Sequence, residues 1–187
     1  MALAVVPSPA PEVSRFGHSV VEARRPSADP ELFREAMSRL AGGVAVVACL
    51  DEDDSPRGLL VSSITCLSTE PPRMLFCVRK AAGAHDALLK ASTCSIAILA
   101  EAEAEEAARF SASHRVLERF QAPDWRITAN APPVYERALV GLVGRIAQRM
   151  DAGSHSLLVV DVDRVAARDA APLVYFSRGF RSLALEP

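Results

Sequence analysis

The apolar residues of this chain fall into short, β-rich runs broken by turn signals, and that pattern restricts the fold more than any other feature. "VAVVACL" (44–50) stands between a glycine pair and the acidic turn "DEDDSP", and its valine content predicts a strand. "RGLLVSS" (57–63) answers it as the second arm of a hairpin. "RMLFCVR" (73–79) follows after "EPP", and "TCSIAIL" (93–99) supplies a fourth strand. Two long strands are expected at about 135–150 and 155–168, then a short one at "LVYFS" (173–177). Helical signals are few. "DPELFREAMSRLAGG" offers Asp29 as N-cap, Pro30 at N1, Phe33, Met37 and Leu40 on one face, and Gly42-Gly43 as a stop. "HDALLKAS" (85–92) is a second short helix. The Ala/Glu-rich "EAEAEEAARFSAS" is a third, on the surface, its acidic start matching the helix dipole. Residues 113–133 read as irregular. Some seven strands with hairpin-like connections, and no regular strand–helix alternation, predict a mostly β fold: an antiparallel barrel with peripheral helices.

With 187 residues the chain has room for one sizeable core. Residues 1–28, rich in Pro, Ala, Ser and Val, read as a flexible N-terminal arm, and 29–187 as a single domain. A formal charge of −2 gives no positive field for nucleic acid or an anionic membrane. No apolar run approaches the roughly 20 residues a membrane-spanning helix needs, and "MALAVVPSPAPEV" lacks the basic start of a signal peptide. Cys49, Cys66, Cys77 and Cys94 form no CxxC pair and have no zinc spacing. Each lies in a strand-like apolar segment, so they read as core thiols of a cytoplasmic protein. His18, His85, His114 and His155 are scattered, with no ligand pair at helical spacing, and no metal site is expected. The carboxylates at 51–54 and 101–106 read as solvated faces. GxGxxG, P-loop and GxSxG signatures are absent from the sequence.

Three segments carry chemistry. In "VSSITCLSTEPP" (61–72), Ser62, Ser63, Thr65 and Ser68 leave a strand where the backbone must turn. Such hydroxyls either cap turn backbone or hold a phosphate or the polar edge of a planar ring. "RKAAGAHDALLK" sets Arg79 and Lys80 just before a helix start, which suits an anion. "AGSHSLLVVDVDRV" puts His155 at the mouth of a core strand, either as a satisfied structural histidine or facing a ligand.

Taken in order, "FREAMSRLAGGVAVVAC", "GLLVSSITCLSTEPPRMLFCVRK", "RF", "AGSHSLLVVDVDRV" and "PLVYFSRGF" resemble the flavin reductase-like family over about residues 31–182. These are small NAD(P)H:flavin oxidoreductases that serve two-component flavin-dependent monooxygenases. The resemblance implies an FMN-binding split β-barrel, usually a homodimer, using FMN or FAD with NADH or NADPH. It implies that Ser62, Ser63, Ile64, Thr65 and Cys66, with Ser68 in the same segment, line the flavin ring and ribityl chain. Arg79, Lys80, Ala81 and Ala82 would approach the flavin phosphate. Gly153-Ser154-His155 matches the family's Gly-Asp/Ser-His element, whose histidine faces the nicotinamide. Tyr175 to Phe180 would close the cleft, with Arg178 near the pyridine nucleotide. Reduced flavin would then diffuse to a monooxygenase partner.

The sequence also departs from the family pattern. Leu60 and Gly42 stand where threonine is common, and Ala81 and Ala82 replace residues that often carry hydroxyls. Each change removes a possible hydrogen bond worth about 0.5–1.5 kcal/mol, so flavin is expected to bind as an exchanging substrate. Hydride would pass between two cofactors, which accounts for the lack of an acid–base pair or nucleophile. The alternative is a non-enzymatic split-barrel module for flavin binding or assembly. A pyridoxamine-phosphate-oxidase-like enzyme shares the barrel, but the Gly-Ser-His element argues against it.

Overall fold

Residues 28–183 are described by the structure, a computed structural model. The arm expected over 1–28 therefore lies, but for its last residue, outside the described residues. The elements in chain order are α1 (Pro30–Met37), β1 (Gly42–Gly43), β2 (Ala45–Leu50), β3 (Pro56–Val61), β4 (Ile64–Thr69) and β5 (Pro72–Arg79). They continue with α2 (His85–Lys90), β6 (Thr93–Ile98), α3 (Ala104–Ser111), β7 (Trp125–Thr128) and β8 (Ala131–Tyr135). The chain closes with β9 (Val140–Ala152), β10 (His155–Ala167), β11 (Leu173–Phe176) and β12 (Gly179–Ser182).

Strand order explains the shape. The main sheet runs β3-β2-β6-β9-β10-β5-β4, every neighbour antiparallel. Its two edges, β3 and β4, are consecutive in the chain and joined only by Ser62-Ser63. Laid flat, those edges would stand roughly 29 Å apart at about 4.8 Å per strand. The link can reach about 11 Å at most. The sheet must therefore curl until its edges meet at this corner, where Cys77 N–H donates to Ser63 O at 3.0 Å.

Curling buries β2 on both faces, which is why "VAVVACL" is continuously apolar rather than alternating. Ala45, Val47 and Cys49 point into the barrel with Phe76, Val78 and Leu158. Val46 and Ala48 point outward into a second core with Leu99, Phe110 and Trp125. Close approach also fixes two glycines. A Cβ on Gly144 would lie 2.1 Å from Asp161 O, and one on Gly58 would lie 2.8 Å from the Phe120 ring.

Several expectations need correction. The segment 61–72 is not a turn: residues 64–69 form β4, an edge strand paired with β5. Its hydroxyl-rich composition is possible because an edge faces solvent, and Thr65, Cys66 and Leu67 are exposed. Cys66 is thus no core thiol, unlike Cys49 and Cys94, whose burial pushes both thiols up to about 12. Helix α1 starts as expected, with Asp29 accepting from Glu31 N–H at 2.9 Å, but buries none of its residues. Phe33, Met37 and Leu40 are exposed, and Gly42-Gly43 pair with β11 instead of capping the helix. Residues 113–133 contain β7 and the start of β8, and the long strand begins at Val140 because Tyr135 belongs to β8. The last segment is a hairpin, β11–β12, with Ser177 and Arg178 both at positive φ.

The acidic run at 101–106 is not wholly solvated either. Glu103 and Glu106, three residues apart and so on one face, are both buried. Glu103 accepts from Tyr135 Oη at 2.6 Å and pairs with Arg137 and Arg168. Glu106 accepts from Trp125 Nε1 at 2.7 Å and pairs with Arg109. Burial beside Glu103 raises the Tyr135 phenol well above its usual range.

Candidate active site

The antiparallel register of β5 and β10 makes His155 and Arg79 Cα partners. Residues directly opposite project from the same face of a sheet, with Cβ atoms about 4.5–5.5 Å apart. The imidazole and the guanidinium therefore stand side by side at one end of the barrel, and both line a cleft of about 800 Å³. Gly153-Ser154 forms the tight turn into β10; only Gly153 has positive φ (69°), the pattern of a type II′ hairpin. Ser154 Oγ lies 2.9 Å from His155 Nδ1, and the ring is half-buried.

The opposite side of the cleft is the corner where the sheet closes. Ser62 and Ser63 line it and are exposed, and Ser63 Oγ donates to Cys77 O at 3.2 Å. A wall of Phe110, Val116, Leu117 and Phe120 faces this corner. Arg119 holds that wall, donating to Gly58 O, Phe110 O and Ala112 O at 3.1–3.2 Å. Burial disfavours its charge, lowering its pKa.

Between the two sides runs the loop 80–84. The backbone N–H groups of Lys80, Ala82 and His85 have protein acceptors, whereas those of Ala81, Gly83 and Ala84 find none among the described residues. Ala81, Ala82, Gly83 and Ala84 line the cleft. Arg79 makes no ion pair among the described residues, whereas Lys80 is paired with Asp151. Free N–H donors beside an unpaired guanidinium form a place for a phosphate. The roomy, part-apolar cleft beside it suits a planar ring system.

An adjoining cavity of about 490 Å³ shares Leu60, Ser62 and Ser111 with the cleft. Tyr175, Arg178 and Phe180 line it, the two rings in an edge arrangement with centroids 5.9 Å apart. Arg178 also donates to Glu35 Oε2 at 2.7 Å.

Of the residues singled out from sequence, Ser62, Ser63, Arg79, Ala81, Ala82 and His155 thus share one cleft, and Arg178 lines its neighbour. Ile64, Thr65, Cys66 and Ser68 run away from it along β4, and Lys80 does not line it. Sequence reasoning missed the wall from Phe110 to Phe120. It also missed the buried contact of His85 Nε2 with Ser156 Oγ at 3.0 Å, next to His155.

A family profile described as "Flavin reductase like domain" matches residues 37–184. The chain belongs to this family. A relative named FMN reductase (NADH) RutF 1, from Methylorubrum extorquens (strain PA1), is 35% identical over 162 residues, covering 86% of this chain and 80% of its own. Among solved structures, BorF, the flavin reductase component of a bacterial two-component tryptophan halogenase, is 30% identical with a TM-score of 0.75. That match covers 84% of this chain and all of BorF. A protein of Sinorhizobium meliloti 1021 is 26% identical with a TM-score of 0.77, covering 82% of this chain, which spans only 53% of that protein's length. The curled antiparallel sheet is accordingly the split β-barrel of flavin reductases.

Proposed function

We propose that this protein is an NADH-dependent flavin reductase that reduces FMN and releases it to a separate flavin-dependent monooxygenase. The observation that carries this reading is the pairing of Arg79 and His155 in register across the mouth of one cleft. The family's relatives named for FMN and NADH support the choice of substrates, and the cleft's size leaves FAD as a second substrate to test.

When flavin and NADH are both bound, hydride passes between them, and the chain needs only to hold and align them. Arg79 and the N–H groups of Ala81, Gly83 and Ala84 bind the phosphate. Ser62 and Ser63 offer backbone and hydroxyls to the polar edge of the ring. Phe120, backed by buried Phe110, offers the ring's face an apolar surface, with Leu117 exposed at the rim. His155 orients the nicotinamide, and the Tyr175 and Phe180 rings border the neighbouring cavity beside Arg178, which is paired with Glu35. No hydroxyl stands at Leu60, Ala81 or Ala82, which favours exchange of flavin over permanent retention.

A cytoplasmic homodimer fits the free thiols and the exposed apolar residues Leu32, Phe33, Met37 and Leu40. Among the described residues, no helix is long and apolar enough to cross a membrane. Sedimentation at micromolar concentration checks the dimer. The test of function is steady-state NADH and NADPH oxidation with riboflavin, FMN and FAD. NADH oxidation that requires added FMN is expected. Flavin binding without turnover would leave only a non-enzymatic flavin-binding module.

A further inference from the structure

The structure separates two cations that neighbour each other in the chain. Arg79 faces the cleft with no carboxylate partner among the described residues. Lys80 follows the strand alternation to the other side, where its Nζ donates to Asp151 and its backbone N–H donates to Ser154 O at 3.0 Å. Asp151 also accepts from Gly153 N–H at 2.9 Å, so its carboxylate organises the turn and receives the lysine together. Its pKa is held low, first by Lys80 and then by that N–H. At the far end of the same loop, His85 is buried, with Nε2 3.0 Å from Ser156 Oγ and Nδ1 2.7 Å from Asp86. The loop is therefore fastened to the β9–β10 turn on both sides of His155.

Such fastening has a purpose that the strands do not serve. Arg79 and His155 form the last pair of β5 with β10, one residue from a tight turn, where a ladder frays first. A shift near 1 Å in a group that aligns reactants can cost about 10²-fold in rate. Lys80, already neutralised by Asp151, would bring a carboxylate with it toward any anion. Arg79 would not.

We propose, building on the reading of the preceding subsection, that Lys80 and His85 are positioning residues. They latch the 80–85 loop to the β9–β10 turn and to the start of β10, and so hold Arg79 and His155 in fixed relation, while Lys80 gives the flavin phosphate no contact. Riboflavin, which lacks the phosphate, is the probe that separates the two cations.

The experiment measures riboflavin and FMN affinity by fluorescence quenching, and kcat/KM for NADH at saturating FMN. The variants are Arg79→Met, Lys80→Met, Asp151→Asn and the Lys80→Met/Asp151→Asn pair. Arg79→Met should cut the FMN-to-riboflavin affinity ratio by about tenfold or more, the loss of a charge-assisted bond. Lys80→Met should leave that ratio within about twofold yet lower kcat/KM for NADH by about tenfold. Asp151→Asn should show the same kinetic loss, and the pair no more than either alone, because both remove one latch. For the buried side, Ser156→Ala removes the bond from His85 with a small change in volume. It should lower kcat/KM well beyond what the loss of a few degrees in melting, from a buried imidazole nitrogen left unpaired, accounts for, and Ser156→Thr, which keeps the hydroxyl, should restore the rate. A Lys80→Met ratio that collapses like that of Arg79→Met would make Lys80 a phosphate ligand and overturn the proposal. Wild-type kinetics in Lys80→Met and Asp151→Asn would overturn it too. A ratio changed by neither Arg79 nor Lys80 would instead refute the phosphate placement, and the NADH kinetics would still decide the latch.

Discussion

Replacing His155 with alanine separates alignment from architecture. Among the described residues, its one hydrogen bond to a side chain goes to Ser154 Oγ, an exposed hydroxyl, at 2.9 Å. Losing such a bond costs about 0.5–1.5 kcal/mol at most, and exposure of the partner keeps it at the lower end. For a chain of this length 1 kcal/mol moves the melting temperature by about 2–4 °C, so a shift of only a few degrees is expected. The kinetic effect should be much larger. An imidazole that sets the nicotinamide at the cleft mouth should be worth about tenfold to a hundredfold in kcat/KM for NADH, or roughly 1.4–2.7 kcal/mol of barrier. FMN affinity should hardly change, since the proposed phosphate contacts come from Arg79 and the loop N–H groups. Three measurements on one variant suffice: melting, FMN titration, and NADH oxidation at saturating FMN. A kcat/KM within about twofold of wild type would refute the alignment role. A melting loss beyond about 8 °C with proportionate loss of activity would make the histidine structural.

Other perturbations test the surroundings. Leu60→Thr with Ala81→Ser places hydroxyls on the cleft and should tighten FMN binding by about 0.5–1.5 kcal/mol per bond formed, read by fluorescence titration. Because Leu60 packs against the outer core, the same double variant should melt a few degrees lower. Gly144→Ala drives a Cβ to 2.1 Å from Asp161 O inside the β9–β10 ladder and should cost more than about 3 kcal/mol in denaturant unfolding. Thiol alkylation at neutral pH should label exposed Cys66 quickly and leave Cys49 and Cys94 untouched. Cys77, which lines the cleft, should react slowly and be protected by FMN.

What could be read from the sequence followed the strength of the apolar signal. β2 is plain because burial on two faces demands an unbroken apolar run, and the apolar centres of β5 and β6 carry a weaker form of the same signal. β4 was hidden by the converse: an edge strand facing solvent is free to carry Ser, Thr and Cys, and those residues read as a turn. The burial of Glu103 and Glu106 is not legible in the sequence because their partners Trp125, Tyr135, Arg137 and Arg168 lie far along the chain. Spacing within one helix shows a shared face but not what covers it. The stripe of α1 failed in the opposite sense, since Phe33 and Met37 have helical spacing and yet remain exposed.

The site itself depends on a property of topology that no local pattern contains. A seven-stranded sheet whose edge strands are joined by two residues must close across those residues. Ser62 and Ser63 cannot take part in a ladder on both sides at once. Polar backbone and hydroxyls are thereby left facing a gap in an otherwise satisfied barrel, and the loop after β5 leaves three more N–H groups facing the same gap. Register then brings Arg79 and His155 to its rim from strands remote in sequence. Binding capacity at this corner is thus a consequence of incomplete closure, which is why hydroxyls can be absent at positions 60, 81 and 82 without abolishing the cleft. Their absence should weaken retention of flavin more than alignment, and a reductase whose product must leave needs the second more than the first.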